Sequence, residues 1–356
     1  MGILLDFQGQ PLWLNASVFA VAAVIVWIAG TRVAHYADAL ATATGVGHAA
    51  VGLVLLAGIT SLPEVAVSLS SAVTDSPSLA VNNLLGSIAL QIALLAVADA
   101  VFGKDALTVV AGSSVVLLQV VMNILLLTLL AVALMVGDVA FLGAGAWSWS
   151  LLGLYVFAIW KISHSQDRHA WVANMSEGQR RRREERRKWR DQQASASAEE
   201  SVKSLTWKLA LGGLAILVAG YVLSRTGDAL ARQTGLGQSF VGAVLVAIST
   251  SLPELSSVLA AVKLRRLEMA ISDIFGTNLF NVGLVFVVDI AWRGGPVINE
   301  LGRFSQFASL LGALLAAIYM GGLIERQDRT VLRMGTDSAA VLVAYVAGLY
   351  FLYQLR

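Results

Sequence analysis

Residues 60–64 read Thr60-Ser61-Leu62-Pro63-Glu64, and residues 250–254 repeat them as Thr250-Ser251-Leu252-Pro253-Glu254. The repetition runs well beyond these five positions. At the same gapless offset of 190 residues (60 to 250), Gly30 meets Gly220, Asp38 meets Asp228, Thr44-Gly45 meets Thr234-Gly235, Gly86 meets Gly276 and Asp99 meets Asp289. Shared apolar composition would pair leucines and valines, but not a proline, a glutamate and the flanking glycines in one register. The chain therefore carries two copies of one unit.

Composition says where those copies reside. Of 356 residues, 57% are hydrophobic and only 13% charged, and the mean hydropathy of +0.73 is that of a chain that lives in lipid. A net charge of +2 is too small to attract nucleic acid. With no cysteine, disulfides, iron–sulfur clusters and thiolate metal sites are excluded. Ten apolar stretches of spanning length lie near 12–30, 47–72, 78–101, 107–135, 139–160, 205–223, 237–262, 268–292, 303–324 and 336–355. The expected fold is an all-α polytopic membrane protein of ten transmembrane helices. One hydrophilic stretch, 161–204, divides the ten into a first five-helix repeat over 1–160 and a second over 205–356.

The linker carries Arg180 to Arg183, Arg186, Arg187, Lys188 and Arg190, and the positive-inside rule puts it in the cytoplasm. Both termini are then outside. The short loops agree: those expected inside hold Arg32, Lys104, Lys263, Arg265, Arg266, Arg326, Arg329 and Arg333, against Arg225, Arg232, Arg293 and Arg303 outside. Five spans is an odd number, so the second copy enters the bilayer upside down relative to the first. Such inverted-topology repeats are the usual build of secondary transporters.

Both TSLPE runs fall about midway along their spans, so Glu64 and Glu254 are expected near the bilayer midplane. An ionised carboxylate there costs at least about 2.5–3.5 kcal/mol and must be neutralised. No Lys or Arg lies in the centre of any span, so the counter-charge is a bound cation or a proton. Pro63 and Pro253 each lack an N–H, which leaves carbonyls of the preceding turn free to face a cavity. A second layer comes from Asn83, Ser87 and Gln91 on the third span and Asp273, Thr277 and Asn281 on the eighth, each set at i, i+4, i+8 on one helix face. Gln91 and Asn281 read as ligands, whereas Asn83 and Ser87 read equally well as interhelical hydrogen-bonders. Carboxylate, hydroxyl, amide and carbonyl oxygens are hard donors that suit calcium and sodium, while zinc or copper would want imidazole or thiolate.

These residues resemble the cation/calcium exchanger superfamily, and its sodium/calcium exchanger branch in particular, whose hallmark is a pair of inverted α-repeats. The likeness is closest over about 40–100 and 230–290. It implies that Thr60, Ser61 and Glu64 with Thr250, Ser251 and Glu254 are first-helix ligands, that Ser87, Gln91, Thr277 and Asn281 are second-helix ligands, and that the carbonyls of Ala57 and Ala247 serve sodium. Three positions depart from the family pattern: Ile88 stands for an Asn, Gln91 for an Asn or Asp, and Asp273 for an Asn, the last adding a third acid. Ser61 and Pro63 argue against the proton/calcium branch, whose motif has Asn and Ala there.

The expectation is an antiporter that exchanges calcium for sodium by alternating access, with no cofactor and with the ions and the lipid bilayer as its partners. Spans 1 and 6 are the moving elements by family analogy, and the expected location is the bacterial plasma (inner) membrane. Calcium/proton antiport would use the same glutamates. A channel would want a more continuous polar path than the apolar flanks of TSLPE offer, and an intramembrane enzyme would want a Ser/His or HExxH arrangement, which the sequence lacks.

Overall fold

This computed structural model describes residues 7–44, 61–102, 114–165, 201–263, 267–325, 330–331 and 334–356. The first copy comprises α1 (Leu12–Thr44), α2 (Leu62–Val73), α3 (Pro77–Phe102), α4 (Ser114–Val136), a hairpin of β1 (Ala140–Phe141) and β2 (Ala144–Gly145), and α5 (Ala146–Ser165). The second comprises α6 (Val202–Thr234), α7 (Gly237–Thr250), α8 (Leu252–Lys263), α9 (Leu267–Ala291), α10 (Arg303–Glu325), a hairpin of β3 (Thr330–Val331) and β4 (Met334–Gly335), and α11 (Thr336–Gln354). The starts of α1 and α6, α2 and α8, α3 and α9, and α5 and α11 each differ by 190 residues, as do the strands of the two hairpins.

The protein is an all-α polytopic membrane protein, with two minor hairpins among the described residues. Among the described residues, seven helices are long and apolar enough to cross a bilayer, and α7 with α8, bent by 44°, makes an eighth span if taken together. The short α2 and the less apolar α5 occupy the remaining two apolar stretches.

Three boundaries differ from the sequence reading. The first and sixth spans, expected at 12–30 and 205–223, are 33-residue helices that continue to Thr44 and Thr234. Helix-forming residues such as Ala and Leu carry them past the apolar run. α6 is capped at its start by Ser201, whose side chain accepts the Ser204 N–H, and stops at Gly235, which takes the left-handed conformation (φ 69°). The stretch 139–160 likewise begins not as helix but as the β1–β2 hairpin, because Leu142 and Gly143 both adopt positive φ and turn the chain back.

α3 and α9 form the centre and are buried along most of their length, whereas α1, α6 and α11 are peripheral and turn most of their surface outward. The halves interpenetrate. α6 packs on α2, α1 on α8, α3 on α10 and α11, and α9 on α4 and α5, while α1 and α6 run against each other. Two buried acids fasten this exchange. The Gly145 N–H donates to Asp289 Oδ2 (2.6 Å), and the Gly335 N–H donates to Asp99 Oδ2 (2.7 Å). Each half thus grips the hairpin of the other through equivalent residues.

A close helix crossing lies between α3 and a π turn of α7 over Gly242–Val246. A Cβ on Gly86 would run into the backbone of Ala243, and one on Gly242 would come within 2.7 Å of the Leu79 carbonyl oxygen. Glycine is required at this contact because backbone lies directly on backbone.

Candidate functional site

A helix starts within each TSLPE motif, and at the second the chain bends between α7 and α8. Ser61 and Ser251 leave helical geometry (ψ 9° and 5°), and α2 and α8 start immediately after them, each with a proline in its first turn and the glutamate one position on. Proline belongs there because the first turn has no use for its missing N–H. Glu64 and Glu254 therefore sit at helix N-termini, where unsatisfied N–H groups and the positive end of the helix dipole favour negative charge. Both are fully buried.

The stripe on α3 faces the break between α7 and α8, so the site is assembled across the two copies. Ser87 Oγ lies 3.4 Å from Thr250 Oγ1, Thr250 Oγ1 donates to Asn83 Oδ1 (3.4 Å), and Gln91 Nε2 donates to Ser251 Oγ (3.4 Å). These contacts are long for hydrogen bonds and cost little to exchange for a cation. The Thr250 and Ser87 hydroxyls flank the Glu64 carboxylate, yet neither makes a hydrogen bond of regular geometry to it. The Glu64 and Asp273 carboxyls lie within electrostatic reach of Glu254.

None of the four carboxylate oxygens of Glu64 and Glu254 has a hydrogen-bond partner among the described residues. The same is true of Ser61 Oγ, Ser68 Oγ, Gln91 Oε1, Thr277 Oγ1 and both amide atoms of Asn281, all on buried side chains. Buried polar atoms are rarely left this way, since each unmet one costs on the order of 1–3 kcal/mol. Carboxylate, hydroxyl and amide oxygens without partners are the donor types that a hard cation takes.

The other expected ligands are placed less uniformly. The Ala247 carbonyl accepts the Ser251 N–H (3.0 Å) and the Thr250 hydroxyl (3.3 Å), so in this conformation it is engaged locally. Thr60 and Ala57 lie outside the described residues. Asp273 is partly exposed and accepts the Ser257 hydroxyl (2.7 Å), one turn along α8 from Glu254. Its counterparts 190 residues earlier are Asn83 and Val67, so this acid–hydroxyl pair exists in one copy only.

Sequence reasoning passed over Asn278, which is fully buried with neither amide atom partnered. It directly follows Gly276-Thr277, and that triplet is the signal that could have found it. At the matching position Ile88 is packed in the apolar core against Gly312. The first copy has thus traded a polar group for packing where the second keeps one.

A family model described as sodium/calcium exchanger protein matches residues 14–162 and 204–354. The inner membrane protein YrbG of Escherichia coli is 25% identical over 339 residues, covering 95% of this chain and 98% of its own. The putative antiporter CaxA of Alkalimonas amylolytica is 24% identical over 349 residues, covering 96% and 99%. Among solved structures, the H+/Ca2+ exchanger CAX superposes with a TM-score of 0.70 at 13% identity, over 96% of this chain and 85% of its own. The sodium-calcium exchanger NCX_Mj gives 0.59 at 18% identity, over 96% and 99%.

Proposed function

From a chain that belongs to the sodium/calcium exchanger protein family, we propose a calcium/sodium antiporter built as two inverted five-helix repeats, 1–160 and 205–356, joined by the cytoplasmic linker 161–204. The observation that carries the reading is the pair of fully buried glutamates, whose four oxygens have no protein partner among the described residues. Recurrence of the helix starts at one offset supports the two-repeat plan.

In this reading one calcium ion neutralises Glu64 and Glu254, with Ser61, Ser87, Gln91, Thr250, Ser251, Thr277 and Asn281 completing its oxygen shell, and sodium uses overlapping ligands, Thr60 and the Ala57 and Ala247 carbonyls among them. An empty ionised site is costly to carry past apolar surroundings, so the conformational change is cheap only when the site is loaded. Coupled exchange follows. The test is purified protein in liposomes, with calcium uptake followed under a sodium gradient, a proton gradient or neither. Uptake driven by sodium supports the reading. Uptake driven only by protons replaces it with calcium/proton exchange on the same glutamates.

Asp273 refines the charge count. One calcium balances two carboxylates, whereas a third monovalent ion would need another acid. Through Ser257 this carboxylate is tied to the helix of Glu254, near enough to act on the site without being at its centre. Asp273→Asn is expected to keep calcium binding within about threefold while changing the sodium or pH dependence of exchange. Unchanged sodium cooperativity, pH profile and charge moved per calcium would make Asp273 structural.

Orientation is tested separately. A tag within 165–200 is expected to be reached only from the cytoplasm, and tags at both termini only from outside. The reverse labelling would invert the topology without touching the site.

A further inference from the structure

Away from the ion site, α6 lies on α2 along a seam of three residues spaced one turn apart. Gly220 abuts Ala66, the Ser224 hydroxyl is 2.7 Å from that of Ser71, and Asp228 reaches the α2–α3 connection through an intermediary. The Asp228 carboxylate, only 3% exposed, accepts from Gln8 Nε2 (3.2 Å), from Arg232 Nε (3.3 Å) and from Gln238 Nε2, and Gln238 Nε2 also donates to Ser76 Oγ (3.2 Å). One buried acid thus gathers the N-terminal segment, the end of α6, the first turn of α7 and the entry to α3. α6 starts beside the 161–204 linker and is about 50 Å long at 1.5 Å per residue, so this cluster lies at the face of the protein away from the linker.

The seam is also out of register with its counterpart. On the other copy, Gly30 of α1 abuts Pro253 of α8. Position for position, Gly220 would then abut Pro63, but it meets Ala66, three residues or about 4.5 Å further along α2. The peripheral helices therefore sit at two different heights on equivalent partners, the asymmetry that one end of an alternating-access cycle would have. A hydrogen-bonded carboxylate at the displaced end is what holds that state, because bonds to a charged acceptor are about twice as strong as neutral ones.

We infer that Asp228, with Gln238 and Ser76, is a latch that keeps the mouth away from the linker shut, and that the Asp228–Gln238 bond opens once in each transport cycle. This rests on the alternating-access reading but not on which ions are exchanged. Asp228 is a positioning residue, not a ligand.

The chain has no cysteine, so single-cysteine reporters can be placed directly. Leu79 is fully buried between Gly227 of α6 and Gly242 of α7, under the latch. Leu127, fully buried on α4, serves as a control away from it. Leu79→Cys and Leu127→Cys would be labelled in liposomes with a membrane-impermeant maleimide supplied from the face away from the linker. Asp228→Ala and Gln238→Ala, which remove opposite partners of the same bond, are each expected to raise the labelling rate at position 79 about tenfold and leave position 127 unchanged. Unchanged labelling at 79 in both variants overturns the latch. A parallel rise at 127 also overturns it, because it marks general loosening. Labelling needs no transported ion, so failure of calcium/sodium exchange would show separately in the flux assay.

Discussion

Glu64→Gln and Glu254→Gln are each expected to reduce sodium-driven calcium uptake by more than about a hundredfold while leaving an inserted, monodisperse protein. Glutamine keeps the volume and one carbonyl oxygen but removes a charge. In a fully buried site, taking away one partner of a charge pair costs on the order of 3–5 kcal/mol, or two to four decades in binding. Folding is spared for the same reason, since neither carboxylate oxygen has a hydrogen-bond partner among the described residues to lose, and a neutral amide is cheaper to hold in lipid. Calorimetry with calcium and flux in liposomes would be measured on the same preparations. Normal uptake by either variant would remove the paired-glutamate mechanism, and loss of uptake with intact calcium affinity would move the role of that glutamate from binding to coupling.

Gly86→Val is expected to have the next largest effect, this time on folding. The added side chain would have to occupy the space of the Ala243 backbone, and backbone cannot rotate away as a flexible side chain can. Overpacking of this kind costs about 1–3 kcal/mol or more. Any relief by separating α3 from α7 would pull Ser87, the next residue, away from Thr250, at present 3.4 Å distant. Even a variant that folds should therefore bind calcium poorly. The companion Gly153→Ala, on α5 with nothing near the new methyl group, is expected to be neutral. Thermal stability in detergent, followed by monodispersity on size exclusion, compares the two. Equal stability of both variants would mean that the crossing tolerates a side chain at position 86.

Much of the membrane fold was legible because lipid leaves few solutions: long apolar runs become helices, and a proline beside a glutamate inside an apolar run marks a helix start. What stayed hidden is instructive. The hairpin at 140–145 reads as apolar and span-like, and only positive φ at Leu142 and Gly143, invisible to hydropathy, turns it back. The polar ends of α1 and α6 do not look like spans, yet the helices run on through them.

Within the site, the 190-residue offset pairs equivalent positions but is silent about which ones touch. Nothing in the sequence says that Ser87 and Gln91 of one copy meet Thr250 and Ser251 of the other. Ser257, which holds Asp273, was missed because its counterpart is Val67 and the repeat therefore offers no second example. Thr60 and Ala57 fall outside the described residues.

The crossed grip of the two hairpins sets a schedule for biogenesis. The Gly145 N–H finds its acceptor on Asp289, 144 residues later in the chain, and at about 5–20 residues per second that stretch takes roughly 7–30 s to synthesise. During that time the first half is in the bilayer with its hairpin unclasped and the helix that will cover it not yet made. A nascent chain stalled before residue 289 should accordingly remain protease-sensitive around residues 137–145, and the translocon or a membrane chaperone would have to shelter it until the second half arrives.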